Sequence, residues 1–277
     1  MSDTPAVPNA QGASPGNRPL AVITGASSGI GLELTKQFAI HNYDVLMVAE
    51  PEGLDAAAEE IRKFNVNVDT LGVDLRTKEG VHAVKERTGE RPIEAIAINA
   101  GVGLGGRFVE TDLHQELDMI DLNVRSSVHL AKHVIPDMVA RNRGKVMFTS
   151  SVAAVMPAPF EAVYGATKGF LLLFAESLAN ELKDTEVTVT AILPGPTDTN
   201  FFHRAGMDDT KAGKDPKDSP ADVAERAYKA LEHGTEKAYV GSFKNKIMGM
   251  MADLLPDDFG AGQHRKMTEP GSGDEKK

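Results

Sequence analysis

The chain has 277 residues, of which 41% are hydrophobic and 25% charged, a composition typical of one or two folded domains. Its formal net charge of −10 and its lack of a basic stripe argue against a protein that binds the phosphate backbone of nucleic acids. Because cysteine is absent, disulfides, thiolate nucleophiles, iron–sulfur clusters and cysteine–zinc sites are excluded.

Neither end of the chain shows the periodicity of a folded segment. Residues 1–18, rich in Pro, Gly, Ala, Asn and Ser, predict a disordered tail, and residues 254–277 predict a flexible one. The first residues do not resemble a secretory signal, and no apolar run reaches the roughly 18 residues that span a bilayer. The sequence therefore favours a cytoplasmic protein without a membrane partner. A short Met-rich run at 247–255 is interpreted as a packing or contact surface.

Between these ends, short apolar runs alternate with segments of helical periodicity. Strands are predicted at Leu20–Ile23, Asp44–Ala49, Val66–Val73, Ile93–Ile98, Lys145–Thr149, Val187–Leu193 and Ala238–Gly241. Helices are predicted through 32–39 and at about 53–64, 77–88, 112–140, 162–183 and 220–233. This alternation predicts an α/β fold, a Rossmann-like doubly wound sheet of about seven parallel strands with helices on both faces, in one domain over 19–253. Ligands bind such sheets beyond the carboxyl ends of the strands.

The first of these carboxyl ends is rich in glycine. Residues Thr24–Gly31 read TGASSGIG, and the predicted helix starts inside them. Glycines at this corner let the backbone approach a pyrophosphate, whose negative charge is stabilised by the helix N-terminus. The spacing is GxxxGxG, and no lysine follows as in a P-loop. A flexible strand-to-helix turn is the structural alternative, which the position directly between a strand and a helix disfavours.

Motifs further along the chain extend this pattern over about residues 19–245, in a joint order that resembles the short-chain dehydrogenase/reductase family. They are Asn99-Ala100-Gly101 after the fourth strand, Asn123 in the fourth helix, Ser151 with the pair Tyr164 and Lys168, and Pro194-Gly195-Pro196-Thr197. The resemblance implies an enzyme that transfers hydride between a nicotinamide dinucleotide and a ketone, aldehyde or alcohol. In relatives the two long helices pair between subunits, so the resemblance also implies a homodimer or homotetramer.

Tyr164 and Lys168 carry the predicted proton chemistry. They are four residues apart on a predicted helix, so their side chains leave it on one face. Because a phenol pKa near 10 makes a poor acid at pH 7, a nearby ammonium and the positive charge of an oxidised nicotinamide are expected to lower it. A surface i,i+4 pair is the alternative, which Ser151 at the end of a buried strand disfavours. The resemblance implies that Ser151 orients the substrate oxygen, Tyr164 transfers the proton and Lys168 also holds the nicotinamide ribose. It further implies that Asn123 disturbs its helix so that a backbone carbonyl continues the proton path.

The residue after the second strand is expected to select the cofactor. A carboxylate there accepts hydrogen bonds from the ribose hydroxyls and repels a 2′-phosphate, whereas a nearby arginine favours the phosphate. The strand ends in Ala49-Glu50-Pro51 with no adjacent Arg or Lys, which predicts NAD(P)H as cofactor with a preference for NAD(H). The residues that we expect to bind it are Gly25, Ser27, Ser28, Gly29, Ile30, Gly31, Glu50, Asp74, Leu75, Asn99, Ala100, Gly101, Tyr164, Lys168, Pro194, Gly195, Thr197 and Thr199.

An apolar wall is predicted for the substrate. Residues 197–219 resemble the family's mobile lid, and Arg204 is the one arginine in that segment. Without a further basic anchor, the wall favours a neutral, hydrophobic ketone, aldehyde or alcohol. The residues expected to contact it are Ser151, Met156, Phe160, Tyr164, Phe201 and Phe202.

Three alternatives to this interpretation follow from single features. His129 and His133 lie four apart without a third ligand at a suitable spacing, so no metal site is predicted and a helix-face or subunit-contact role is favoured. A non-catalytic dinucleotide-binding redox sensor stays open, although a sensor has no need of the four catalytic positions. An extended sugar-nucleotide epimerase shares the YxxxK motif. The glycine spacing of such epimerases differs from that of this chain, and their C-terminal part, which forms the substrate domain, is longer.

Overall fold

The structure is a computed structural model that describes residues 18–242 and 257–274. The predicted N-terminal tail, up to residue 17, and the Met-rich run at 247–255 lie outside the described residues. Within the described ranges, no helix has the length and the apolar character that a membrane crossing requires.

The predicted parallel sheet is confirmed. Over the described residues, seven strands form one sheet in the order β3-β2-β1-β4-β5-β6-β7, and each neighbouring pair is parallel. The chain therefore starts at the middle of the sheet, builds one half outward and then crosses over to build the other. The strands are β1 (Leu20–Thr24), β2 (Asp44–Ala49), β3 (Val68–Gly72), β4 (Ile93–Ile98), β5 (Gly144–Thr149), β6 (Val187–Leu193) and β7 (Lys237–Tyr239).

Helices cover both faces of the sheet. They are α1 (Gly29–Ile40), α2 (Leu54–Arg62), α3 (Lys78–Thr88), α4 (Leu113–Ile120), α5 (Ser126–Ala140), α6 (Ala162–Glu181), α7 (Phe201–Arg204), α8 (Lys211–Lys214), α9 (Pro220–Glu232) and α10 (Asp257–Thr268). Buried residues of α1, α2 and α9 form one apolar cluster, and those of α3, α5 and α6 form another. Alternate residues of β1 enter opposite clusters, Ala21 with Ile23 and Leu20 with Val22. Burial on both faces explains why the strands are continuous apolar runs.

The prediction of a flexible tail over 254–277 is wrong for the part that the structure describes. Asp257–Thr268 form α10, and Ser272–Asp274 form a short 3-10 turn. The turn contacts the segment before α8, because the backbone N–H of Gly273 donates to the carbonyl of Asp209 at 2.9 Å. The sequence of α10 has little apolar periodicity, so contacts with distant loops rather than its own pattern stabilise it.

A third histidine lies beside the pair on α5. The ring centroid of His82, on α3, lies 5.0 Å from that of His129 and 5.3 Å from that of His133. The sequence offers no third ligand at a suitable spacing, but the fold adds His82 from the neighbouring helix α3. Spacing along one helix cannot show a side chain that a neighbouring helix contributes.

Candidate active site

A cavity of about 1080 Å³ opens at the carboxyl ends of the strands. It reaches from the glycine-rich loop after β1 to the segments that follow β5 and β6. The eighteen residues predicted to bind the cofactor all line it: Gly25, Ser27, Ser28, Gly29, Ile30, Gly31, Glu50, Asp74, Leu75, Asn99, Ala100, Gly101, Tyr164, Lys168, Pro194, Gly195, Thr197 and Thr199. The fold thus brings together residues that lie up to 174 positions apart, while their individual roles stay predictions.

The glycine-rich loop depends on glycine at two positions. Gly25 has φ +66°, in the left-handed region that glycine adopts at little cost. A Cβ at Gly31 would lie 2.0 Å from the carbonyl oxygen of Gly25 and 2.7 Å from the side-chain Nδ2 of Asn99. At the N-cap of α1, the side chain of Ser28 makes no capping hydrogen bond, which leaves the first amide groups of the helix available. A tight turn that ends in free helix amides fits the pyrophosphate of a dinucleotide.

Asn99 joins three strands at the base of the cavity. The hydroxyl of Thr24, at the end of β1, accepts hydrogen bonds from the backbone N–H groups of Asn99 and Ala100, both at 2.9 Å. The side-chain Nδ2 of Asn99 donates to the carbonyl of Thr24 at 3.1 Å, and the side-chain Oδ1 of Asn99 accepts from the hydroxyl of Thr149 at 3.0 Å. The ends of β1, β4 and β5 are therefore held in register, and β5 leads directly to Ser151.

Ser151, Tyr164 and Lys168 meet at this edge, and all three are buried. The Oγ of Ser151 accepts a hydrogen bond from the backbone N–H of Ala153 at 3.1 Å, so its own proton is available to donate. The hydroxyl of Ser151 lies close enough to the phenol of Tyr164 to lower its pKa. The Nζ of Lys168 lies 5.7 Å from the ring centroid of Tyr164 and donates to the carbonyl of Thr149 at 2.9 Å.

The pKa of Tyr164 differs from the sequence expectation. Burial raises it above the ordinary value of 10.0, the nearby carboxylate of Glu161 raises it further, and the hydroxyl of Ser151 lowers it in part. Burial also lowers the pKa of Lys168 to about 8. In the chain without a cofactor, Lys168 does not lower this pKa, and its ammonium donates to the carbonyl of Thr149. Tyr164 consequently holds its proton at neutral pH. The lowering by Lys168 together with an oxidised nicotinamide stays a prediction.

Asn123 lies at the centre of a break in the predicted helix 112–140. α4 and α5 are joined by a π-helix, Asp121–Arg125, a distortion that often marks functional sites. The side chain of Asn123 is fully buried and binds Val102 twice, with Oδ1 accepting from its N–H at 3.0 Å and Nδ2 donating to its carbonyl at 2.9 Å. Nδ2 also donates to the hydroxyl of Thr167, beside Lys168 in sequence, at 3.0 Å. Asn123 therefore supports the site from behind and does not itself line the cavity.

An arginine that the sequence reasoning missed lies beside Glu50. Arg76 forms ion pairs with Asp74 at 2.9 Å, with Asp118 at 3.1 Å and with Glu50 at 3.4 Å. The hydrogen bond from Arg76 lowers the pKa of Asp74. No arginine is adjacent to Glu50 in sequence, but Arg76 lies beside it in space because Arg76 follows β3 and β3 pairs with β2. Its position two residues after Asp74 is the signal that could have found it.

The substrate end is lined by Met156, Phe201 and Phe202 as predicted. The ring centroid of Phe201 lies 5.3 Å from that of Tyr164. Phe160 does not line the cavity among the described residues, so that prediction is wrong. The backbone of Phe160 has φ +63°. The guanidinium carbon of Arg265 lies over the ring of Phe160, 5.1 Å from the ring centroid.

The C-terminal helix α10 forms a wall that sequence reasoning missed entirely. The Nε2 of His264 donates to the carboxylate of Glu161 at 3.0 Å, and both side chains are almost fully buried. The hydroxyl of Thr268 donates to the carbonyl of Pro159 at 2.8 Å. No sequence motif predicts these contacts, because they join residues more than 100 positions apart. The residues of α10 that line the cavity are Gly260, Gln263, His264, Met267 and Thr268.

Comparisons with known proteins agree with this geometry. A family model described as short chain dehydrogenase matches residues 19–210. The chain is 28% identical over 258 residues to the very-long-chain 3-oxoacyl-CoA reductase of Homo sapiens, covering 90% of this chain and 80% of that protein. It is 31% identical over 188 residues to an uncharacterised oxidoreductase of Bacillus subtilis, covering 66% and 77%. Among solved structures, a short-chain dehydrogenase from Sphingobium yanoikuyae in complex with NADPH has a TM-score of 0.75 and 29% identity, covering 86% and 96%.

The family match spans the sheet from β1 through β6 and includes the glycine-rich loop, Ser151, Tyr164 and Lys168. The glycine-rich loop and the strand ends around the cavity fit a dinucleotide. The two relatives are named as an oxidoreductase and a reductase, and each alignment covers about two thirds of this chain or more. The chain belongs to the short-chain dehydrogenase/reductase family and is an oxidoreductase that acts on CH–OH groups with a nicotinamide dinucleotide.

Proposed function

We propose that this enzyme interconverts a neutral, hydrophobic ketone or aldehyde and its alcohol, with Tyr164 as the general acid and base. The observation that carries the proposal is the buried side chain of Tyr164, which lines the cavity together with Ser151 next to a substrate end formed by apolar side chains. Two donors inside an apolar enclosure suit a carbonyl oxygen, because they hydrogen-bond the oxygen while the carbon substituents are buried.

Ser151, Tyr164 and Lys168 have different roles in the proposed proton transfer. In the reduction, Ser151 donates a hydrogen bond to the carbonyl oxygen and Tyr164 gives its proton to that oxygen as negative charge develops. The raised pKa of Tyr164 keeps the proton in place until then. Lys168, with a pKa of about 8, is mostly protonated at pH 7 and holds positive charge near the phenol as it ionises. The bound nicotinamide supplies the hydride in reduction and accepts it in oxidation.

The cofactor of this proposal is NAD(H). Arg76 is one guanidinium among the carboxylates of Glu50, Asp74 and Asp118, so the group is negative overall and disfavours a 2′-phosphate. The Michaelis constants for NADH and NADPH test this preference, and a lower value for NADPH would contradict it. Glu50→Gln should shift the ratio toward NADPH by roughly fivefold, since a partly exposed charge contributes about 1 kcal/mol. Glu59→Gln, on the outer surface of α2, removes the same charge away from the cavity and is the control.

The reaction itself is tested by assaying ketones and alcohols of graded size with both cofactors. Turnover should rise with the apolar bulk of neutral ketones and should be poor for carboxylate-bearing ones of the same size, because the wall offers Met156, Phe201 and Phe202. A preference for the carboxylates would point to Arg204, which also lines the cavity, and would refute the proposed substrate class. Cofactor binding without turnover of any carbonyl compound would favour the redox-sensor alternative.

The proposed assembly is a homodimer or homotetramer. Apolar side chains are exposed on α4 and α6, including Leu113 and Leu173, each 66% exposed, and Leu117 at 48%. Neighbouring exposed apolar residues of this kind are typical of contact surfaces. Leu173→Asp should reduce the mass measured by light scattering, whereas Ile40→Asp, at the end of α1, should leave it unchanged. A monomeric wild-type protein would contradict the proposal.

A further inference from the structure

Three imidazoles converge between α3 and α5, away from the catalytic cavity. His82 lies on α3, His129 and His133 lie one turn apart on α5, and none of them lines the cavity. The ring centroids of His129 and His133 are 4.5 Å apart. One ring nitrogen of each of the three residues lies within 4.8 Å of those of the other two. Two elements of the fold therefore present three potential ligands to one point.

One of these nitrogens lacks a partner within the protein. The Nε2 of His133 is buried, and among the described residues no group is in hydrogen-bonding distance. A buried polar atom without a partner costs free energy, so such atoms usually bind a water or an ion. Because the rings of His82 and His129 surround His133, an ion at this point could accept lone pairs from all three.

We propose that His82, His129 and His133 form a Zn²⁺ site that joins α3 to α5. Neutral imidazole is a preferred ligand of Zn²⁺, and three histidines with one water complete a tetrahedral site. At a Zn–N distance of about 2.0–2.1 Å, the ligand nitrogens of such a site are roughly 3.4 Å apart. The present separations of up to 4.8 Å therefore require the rings to close by about 1.4 Å, and the exposed side chain of His82 is free to make that adjustment.

The charges around the site fit neutral imidazoles. Burial lowers the pKa of His129 and of His133, and His82 and the nearby basic groups contribute to the lowering. Those basic groups are Lys78, Lys85 and Arg125. The lowered pKa favours the neutral form of His129 and of His133, and metal binding requires neutral imidazoles. The same cations repel Zn²⁺, so we expect its affinity to increase with ionic strength and to fall in acid, where protons compete with the metal for the imidazoles.

Calorimetric titration with ZnCl₂ of the full chain, without a polyhistidine tag, tests the site. The wild type should bind one Zn²⁺ per chain. His82→Gln and His133→Gln should each weaken binding by about 100-fold, since even the loss of a group that only supports a ligand costs 10–100-fold. His114→Gln, an exposed histidine on α4, is the matched control and should bind like the wild type.

The variant at His82 separates this site from a two-histidine surface chelate. His129 and His133 alone, four apart on one helix, can bind a divalent ion weakly, so an unchanged affinity in His82→Gln would overturn the proposal. Because His82 is exposed, its replacement should leave the circular dichroism and the metal-free Tm unchanged. Zn²⁺ should raise the Tm of the wild type and not that of His82→Gln. Replacement of Zn²⁺ by Co²⁺ should give the intense visible bands of a tetrahedral complex, and the weak spectrum of an octahedral aquo ion would count against three protein ligands.

Discussion

The two ends of the cavity are built by different kinds of contact. At the cofactor end, loops that directly follow neighbouring strands meet through their backbones, as where Thr24 accepts from the N–H groups of Asn99 and Ala100. At the substrate end, α10 returns across more than 100 residues and is held by single side-chain hydrogen bonds from His264 and Thr268. The cofactor end is formed by the strand ends of the sheet itself, whereas the substrate end depends on a helix that packs against the loops of the sheet.

This difference separates the effects of substitution. Changes at the cofactor end should disturb folding and cofactor binding together, because the same backbone forms the loop and supports the sheet. Changes at the substrate end should alter substrate binding while the sheet and the cofactor loop stay intact, since local segments can move without global unfolding. Tyr164 lies where the two ends meet, with Ser151 on one side and Phe201 on the other.

The largest effect is expected at that junction. Tyr164→Phe removes the proposed acid and base and should lower kcat by about 1000-fold, within the range typical of general acid–base catalysis. The Kd for the cofactor, measured by fluorescence titration, should change less than threefold, roughly 0.6 kcal/mol. Tyr43→Phe removes a hydroxyl outside the cavity and serves as the control. Retained turnover in Tyr164→Phe would refute the tyrosine mechanism.

At the cofactor end, Gly31→Ala should lower the free energy of unfolding by about 3 kcal/mol. The new Cβ would lie 2.0 Å from the carbonyl oxygen of Gly25, and that backbone cannot move without disturbing β1. Urea unfolding measures the change. Gly262→Ala on α10 is the matched comparison, because its Cβ meets nothing within 4 Å and alanine favours a helix by up to about 1 kcal/mol. Equal effects of the two substitutions would contradict the proposed difference between the two ends.

Lys168 links the site to the pH dependence of stability. Its pKa is about 8 in the folded protein and 10.5 when unperturbed, so between these values only the unfolded state keeps the proton. The free energy of unfolding of the wild type should therefore rise with pH in this window relative to Lys168→Met, by about 2 kcal/mol near pH 10. Urea unfolding between pH 7 and 10 measures it, with Lys63→Met on the surface as control. Parallel profiles for the wild type and Lys168→Met would show that burial does not shift this lysine.

The smallest effect is expected at the substrate end. His264→Leu removes the donor to Glu161 and should raise the KM for the ketone by about tenfold, since a hydrogen bond to a charged group contributes about 1.5 kcal/mol or more. His264→Gln keeps a donor and should restore most of the loss. The KM for the cofactor should stay constant in both variants. An equal rise in both Michaelis constants would mean that α10 supports the whole cavity.

The cofactor end could be predicted closely from sequence, and the substrate end could not. TGASSGIG, Asn99 and the Tyr164–Lys168 pair are short-range patterns, and the rule that ligands bind beyond the strand ends brings them together. Phe160 lies outside the cavity because its side-chain direction depends on a left-handed backbone that no motif indicates. The sequence predicts a tail where α10 forms, because the helix is stabilised by contacts with Pro159 and Glu161 that lie far away in sequence.

The sequence by itself determined the parallel sheet and the family and located the candidate catalytic residues, since these follow from hydrophobic periodicity and from spacings within a few residues. Only the tertiary structure decided which charges and rings become neighbours. Arg76 meets Glu50 because β2 and β3 pair, and His82 meets the pair on α5 because α3 packs beside it. Likewise, the pKa of Tyr164 is raised because the fold buries its phenol beside Glu161. Electrostatic effects depend on distance and burial in space, which one-dimensional spacing does not fix beyond one turn of a helix.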